Sequence, residues 1–166
     1  MRILIVRLGS LGDLVHTLPA AAALRRGYPG AVIDWLVEAR HRPFVALVPV
    51  VDETIAVEPS VGGWLRARRR LRARRYDAAI DFQGLLKSAA LARLSGARRV
   101  VGFAAAHLRE RAAAPWYTER HAPPAGGHVI AKNLGLAAAL GAPAGPMEFP
   151  LRSVDSPVAR EARRPG

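Results

Sequence analysis

The chain opens with an apolar run, Ile3-Leu4-Ile5-Val6, that breaks directly into Arg7-Leu-Gly-Ser-Leu-Gly-Asp13. A half-exposed strand alternates apolar and polar residues. A run that is apolar at every position marks a strand covered on both faces, inside a parallel sheet. The pattern recurs along the chain. β-Branched runs at residues 2–6, 31–37, 53–57, 77–82 and 99–103 alternate with helix-period stretches at 14–26, 41–47, 63–74 and 86–94. A later helix fits residues 128–140. Strand–helix alternation at this spacing predicts βαβ units, hence an α/β fold with a doubly wound, mostly parallel sheet. Tyr28-Pro29-Gly30 and Gly62-Gly63 supply turns between elements.

At 166 residues the chain has the length of one domain. Residues 1–150 read as that domain. After Gly141-Ala-Pro-Ala-Gly-Pro146, a short extended stretch at 147–151 runs into a polar, arginine-containing end. Residues 151–166 therefore read as a linker or tail leading towards a further domain. With no cysteine, disulfide scaffolds, thiolate metal sites and thiol nucleophiles are excluded. Four apolar residues before Arg7 are too few for a signal peptide, and no stretch approaches the roughly 20 apolar residues of a membrane span. The expectation is a soluble protein, or one peripheral to a membrane.

The formal charge is +12, and nearly all the basic residues are arginine. Such a balance attracts polyanions: nucleic acid, anionic lipid or a phosphorylated substrate. Residues 66–75, RARRRLRARR, concentrate it. Nucleic acid is the weaker reading, because the run holds no aromatic residue for base stacking and no recognisable binding motif.

In open α/β sheets, ligands sit beyond the carboxyl ends of the strands. Residues 7–13 occupy that place after the first strand. Gly9 and Gly12 permit tight turning and close approach of a ligand. The loop is neither the dinucleotide fingerprint, which needs three glycines at another spacing, nor a P-loop, since no Gly-Lys-Ser/Thr follows. Asp13 then has two readings, helix cap or proton acceptor. His16 and Thr17, one turn later, leave the choice open.

Residues 1–20, with Ser10-Leu-Gly-Asp13 and His16-Thr-Leu-Pro19, resemble the amino-terminal signature of the bacterial lipopolysaccharide heptosyltransferases. These form the ADP-heptose glycosyltransferase family 9, with the two-domain GT-B fold. A second block, Tyr76-Asp-Ala-Ala-Ile-Asp81-Phe-Gln83-Gly84-Leu-Leu-Lys87-Ser88, is similar to the family's strand–loop–helix segment. Arg109-Glu110, Tyr117 and His128 follow in the family's order, and the pattern is nearer heptosyltransferase I than II. The resemblance implies a Rossmann-like, acceptor-binding amino-terminal half. It also implies inverting transfer of heptose from ADP-heptose to the Kdo sugar of lipid A, without metal or cofactor. Asp13 matches the catalytic base. A carboxylate at a helix start serves best when the proton leaves late, after the acceptor oxygen has begun to bond to the sugar carbon. The resemblance further implies acceptor contacts from Ser10, Leu11, Gly12, Lys87, Ser88, Arg109 and His128. It places the arginine run near the acceptor's phosphates, and the enzyme in the cytoplasm on the inner face of the cytoplasmic membrane. Donor contacts fall mainly to the second half.

Each assignment has a plainer counterpart. Asp81 is a second carboxylate at a strand end, equally suited to organising the Gln83-Gly84 loop. Lys87, Ser88 and Arg109 also fit capping and solvation. No Asp-x-Asp occurs, and His41, His107, His121 and His128 lack metal-site spacing. The competing function is a non-catalytic basic α/β module binding phosphorylated or nucleic-acid ligands, with Asp13 only a cap.

Overall fold

The computed structural model describes residues 1–153. Six strands form one sheet: β1 (Arg2–Val6), β2 (Val32–Glu38), β3 (Glu53–Val57), β4 (Ala78–Asp81), β5 (Arg99–Phe103) and β6 (Glu119–His121). Their order is β3-β2-β1-β4-β5-β6, and every pairing is parallel. This is the doubly wound arrangement predicted. Its winding reverses between β1 and β4, which makes the rim beyond those two strands the topological switch point.

Helices cover both faces: α1 (Leu11–Val15), α2 (Leu18–Gly27), α3 (Arg42–Val45), α4 (Val61–Ala73), α5 (Leu86–Leu94) and α6 (Val129–Ala139). The apolar run of β1 divides between two cores. Ile3 and Ile5 pack with Leu18, Leu24 and Leu136 from α2 and α6. Leu4 and Val6 pack on the other side with Leu71 and Leu91 from α4 and α5. Successive strand side chains point to opposite faces, so a strand buried on both sides must be apolar throughout.

Several expected boundaries move, each for a local reason. The single helix expected over 14–26 is two, α1 and α2, because Pro19 lies in the first turn of α2, where its missing N–H costs nothing. The helix expected over 41–47 is a 3-10 turn at Ala39–His41 followed by the single-turn α3, which Pro43 opens in the same way. α4 begins at Val61, two residues earlier than expected, because Ser60 caps it by accepting from Gly63 N–H at 3.0 Å. β6 is too short, at three residues, to show a period. The stretch at 147–151 pairs with no strand. It lies back along the domain: Glu148 pairs with Arg26 at 3.0 Å, and Arg152 N–H donates to the Leu47 carbonyl at 2.8 Å. Residues 154–166, most of the expected tail, lie outside the described part.

The end of the sheet opposite the switch point is tied by buried charge. Asp34, fully buried on β2, accepts from the Tyr76 hydroxyl at 2.7 Å and from Arg74 at 2.9 Å. Arg70 and Arg74 both pair with Glu53. Two arginines of the basic run are thus committed to the fold.

Candidate active site

β1 ends at Val6, and the chain crosses the switch point as residues 7–10 before entering α1. Asp13 is the third residue of α1, with Ser10 at the cap position. Its Oδ2 accepts from Ser10 N–H at 3.1 Å and faces the Ser10 hydroxyl at 3.3 Å. Its Oδ1 lies 2.7 Å from the Arg7 guanidinium. Arg7 is only 6 % exposed and is anchored from behind, donating to the Phe82 carbonyl. Burial lowers the Arg7 pKa from its ordinary value, against the raising effect of Asp13. Arg7 is therefore a fixed cationic post, and Asp13 is held between it and the Ser10 N–H.

The carboxylate is not walled in. Its side chain is 32 % exposed and lines a cleft of about 210 Å³ with Gln83, Gly84, His107, Arg109 and Lys132. Among the described residues, no carboxylate pairs with Arg109 or Lys132. Three cations thus face one carboxylate. Such a cleft draws in an anionic ligand, while Asp13 offers it a hydrogen-bond acceptor. Gly9 and Gly12 contribute differently. A Cβ on Gly9 would stand 2.9 Å from His41 Nε2 and would push that imidazole ring aside. A Cβ on Gly12 would meet nothing within 4 Å.

The opposing wall is the loop after β4, held by Asp81. That carboxylate is fully buried and accepts from the hydroxyls of Tyr117 and Ser88, each at 2.8 Å. It also accepts from the N–H groups of Gln83 at 2.8 Å and Gly84 at 3.4 Å. Burial pushes the Asp81 pKa up, while these four donors pull it back. Gln83 then reaches across the switch point and accepts from Leu8 N–H at 3.0 Å, joining the two loops. Gly84 turns that loop at φ +71°, a conformation that favours glycine.

A carboxylate-bearing loop at the switch point, opposite an Asp-Phe-Gln-Gly loop, invites comparison with known proteins. Residues 64–163 match Glycosyltransferase family 9 (heptosyltransferase). The chain belongs to this family. Lipopolysaccharide heptosyltransferase 1 of Pseudomonas aeruginosa is 37 % identical over 144 residues, covering 80 % of this chain and 41 % of that protein. The Salmonella typhimurium protein of the same name is 37 % identical over 136 residues, 73 % of this chain and 42 % of its own length. The structure of the E. coli heptosyltransferase WaaC with ADP superposes with a TM-score of 0.78 at 33 % identity, covering 91 % of this chain and 51 % of that one. The chain thus spans about half the length of these family 9 relatives, or somewhat less.

Of the contacts that the resemblance implied for this family 9 chain, the structure gathers only some around the cleft. Asp13 and Arg109 line it. Ser10, Leu11 and Gly12 flank Asp13 at the exposed start of α1. His128 caps α6, its Nδ1 accepting from Ile130 N–H at 3.3 Å, and its ring meets His16 edge-on at 5.3 Å. Lys87 stands elsewhere, paired with Glu38 at 3.0 Å. Ser88 corrects the expectation outright. It is fully buried, its hydroxyl donating to Asp81 rather than lining the cleft. Asp81 takes the plainer of its two readings, a loop organiser.

Arg7 and Lys132 are cleft residues that the sequence reasoning missed. Arg7 is the first residue beyond β1, where ligand-facing groups belong in such sheets. Lys132 lies four residues after His128, one helical turn along α6. Its approach to Asp13 depends on a long-range tie: the Asn133 amide donates to the His16 carbonyl at 3.1 Å and to the Thr17 hydroxyl at 3.4 Å.

Proposed function

We propose that this chain is the acceptor-binding half of a GT-B heptosyltransferase I-like enzyme. The enzyme transfers heptose from ADP-heptose to the Kdo sugar of lipid A in inner-core lipopolysaccharide synthesis. The observation that carries the reading is the partly exposed Asp13 carboxylate, oriented by buried Arg7 and facing Arg109 and Lys132 across one cleft. Kdo is a sugar acid, and lipid A carries phosphates. Arg109 and Lys132 are placed to hold that negative charge while an acceptor hydroxyl approaches Asp13. As the hydroxyl oxygen attacks the anomeric carbon of heptose, the bond to the diphosphate breaks and its electron pair leaves with ADP. The hydroxyl proton passes to Asp13 Oδ. Attack opposite the leaving group inverts the anomeric centre. Arg7 acts through Asp13, as a positioning residue. No metal or cofactor enters this step, and most donor contacts come from the other half of the enzyme.

The reading places the enzyme on the cytoplasmic side of the inner membrane, peripheral to an anionic surface, because its acceptor is a lipid. No described helix is long and apolar enough to cross a membrane. The unpaired arginines of α4 supply the attraction, worth roughly 1 kcal/mol each near anionic lipid.

Steady-state transfer to a Kdo acceptor, by this chain joined to its donor-binding half, tests the assignment. Arg109→Ala and Lys132→Ala should each raise the acceptor KM about tenfold with kcat changed less than about threefold, the signature of lost ground-state binding. An acceptor KM unchanged in both variants contradicts the cleft as the acceptor site. A non-catalytic module binding phosphorylated ligands would show no transfer at all.

A further inference from the structure

A second concavity, of about 480 Å³, lies between α4 and α5, with no residue in common with the Asp13 cleft. Pro59, Val61, Trp64 and Leu65 line it from the start of α4, and Leu91 and Leu94 from α5. Its apolar lip is open to water: Val61 is 80 % exposed and Leu65 51 %. Along the same outward stripe, at helical spacing, the side chains then become Arg68, Arg69 and Arg72. All three are exposed, and no carboxylate among the described residues pairs with them. Arg70 and Arg74, by contrast, turn in to Glu53 and Asp34. Arg70 and Arg74 are thus structural, while Arg68, Arg69 and Arg72 share an unpartnered face. The unpartnered face is apolar in its first turns and cationic after them. Because α4 directly follows β3 in a parallel sheet, its apolar end lies on the same rim as the Asp13 loop.

We propose that the α4–α5 groove docks on an anionic lipid leaflet. Val61, Trp64 and Leu65 enter the acyl boundary, and Arg68, Arg69 and Arg72 lie on the headgroup phosphates. The inference rests on the peripheral association proposed above and gives it a surface. Charge selects the occupant. A second copy of the chain would set arginine against arginine. Nucleic acid would use the arginines but leave Val61 and Leu65 in water, with a lone aromatic, Trp64, for stacking. A leaflet uses both halves of the stripe.

Sedimentation of the chain with vesicles tests this directly. It should partition to phosphatidylcholine mixed equally with phosphatidylglycerol, and not to phosphatidylcholine alone. Val61→Asp with Leu65→Asp should lower that partition at least about tenfold. Arg68→Ala with Arg72→Ala should lower it roughly 25-fold. Each change is on an exposed side chain, and circular dichroism verifies the fold. Asp13→Asn should sediment as wild type, so failure of the transfer chemistry and failure of docking are separable. Three results would overturn the proposal. They are equal partition to neutral vesicles, partition indifferent to the Asp substitutions, and salt-sensitive binding of duplex DNA without vesicle binding.

Discussion

Asp13→Asn, in the enzyme proposed above with this domain joined to a donor-binding half, should lower kcat for heptose transfer by about 10²- to 10⁴-fold, with acceptor KM changed less than about threefold. Asparagine keeps the size of the side chain and one oxygen able to accept from the Ser10 N–H, and Arg7 stays anchored on the Phe82 carbonyl, so α1 and the cleft keep their shape. It loses the charge paired with Arg7 and, with it, the capacity to take the proton as the acceptor oxygen bonds to the sugar. The expected split therefore differs from that of Arg109 and Lys132, whose loss weakens binding of substrate and transition state alike. Single-turnover measurement removes product release from the comparison. Turnover near that of the wild type would leave Asp13 as a helix-start residue and nothing more.

The second large effect concerns stability. Asp81→Ala should destabilise the domain by at least about 3 kcal/mol, because it strands the hydroxyls of Ser88 and Tyr117 and the N–H groups of Gln83 and Gly84. For a chain of this length that corresponds to a Tm lower by about 6–12 °C. Asp81→Asn, which keeps one acceptor oxygen, should lose less than half as much. The loop carrying Gln83 would loosen first, since its amide joins the two halves of the switch point through Leu8. Scanning calorimetry decides the matter. A Tm within about 2 °C of wild type would show that the buried carboxylate is not the organiser of that loop.

These two aspartates show how far sequence reasoning reaches. Each sits just beyond or at the end of a predicted strand, and strand position alone gives both a claim to chemistry. The apolar runs were sufficient for the strands, because burial on both faces leaves a pattern that short β-branched stretches display directly. β1, β3 and β5 match expectation at both ends. Burial of a particular carboxylate leaves no such mark. Asp81 is fully buried, with the hydroxyl of Tyr117, 36 residues later, among its partners, whereas the Asp13 side chain is 32 % exposed. The same holds for the cations. Lys87 was legible as a loop lysine, but Glu38, on a strand two places away in the sheet, draws it aside. Lys132 reaches the cleft because Asn133 fastens α6 to the turn between α1 and α2. The basic run was legible as charge, yet its division between inward Arg70 and Arg74 and the outward stripe depends on Glu53 and Asp34, which no local pattern connects to it.

The proposed base assignment is tested most directly by a crystal structure of this domain, joined to a donor-binding half, bound to a Kdo-containing acceptor. One Kdo hydroxyl should lie about 2.6–3.2 Å from Asp13 Oδ, with the sugar's carboxylate towards Arg109 and Lys132. An acceptor seated beyond hydrogen-bond reach of Asp13, with the Asp13 carboxylate still engaged only by Arg7 and Ser10, would contradict the account.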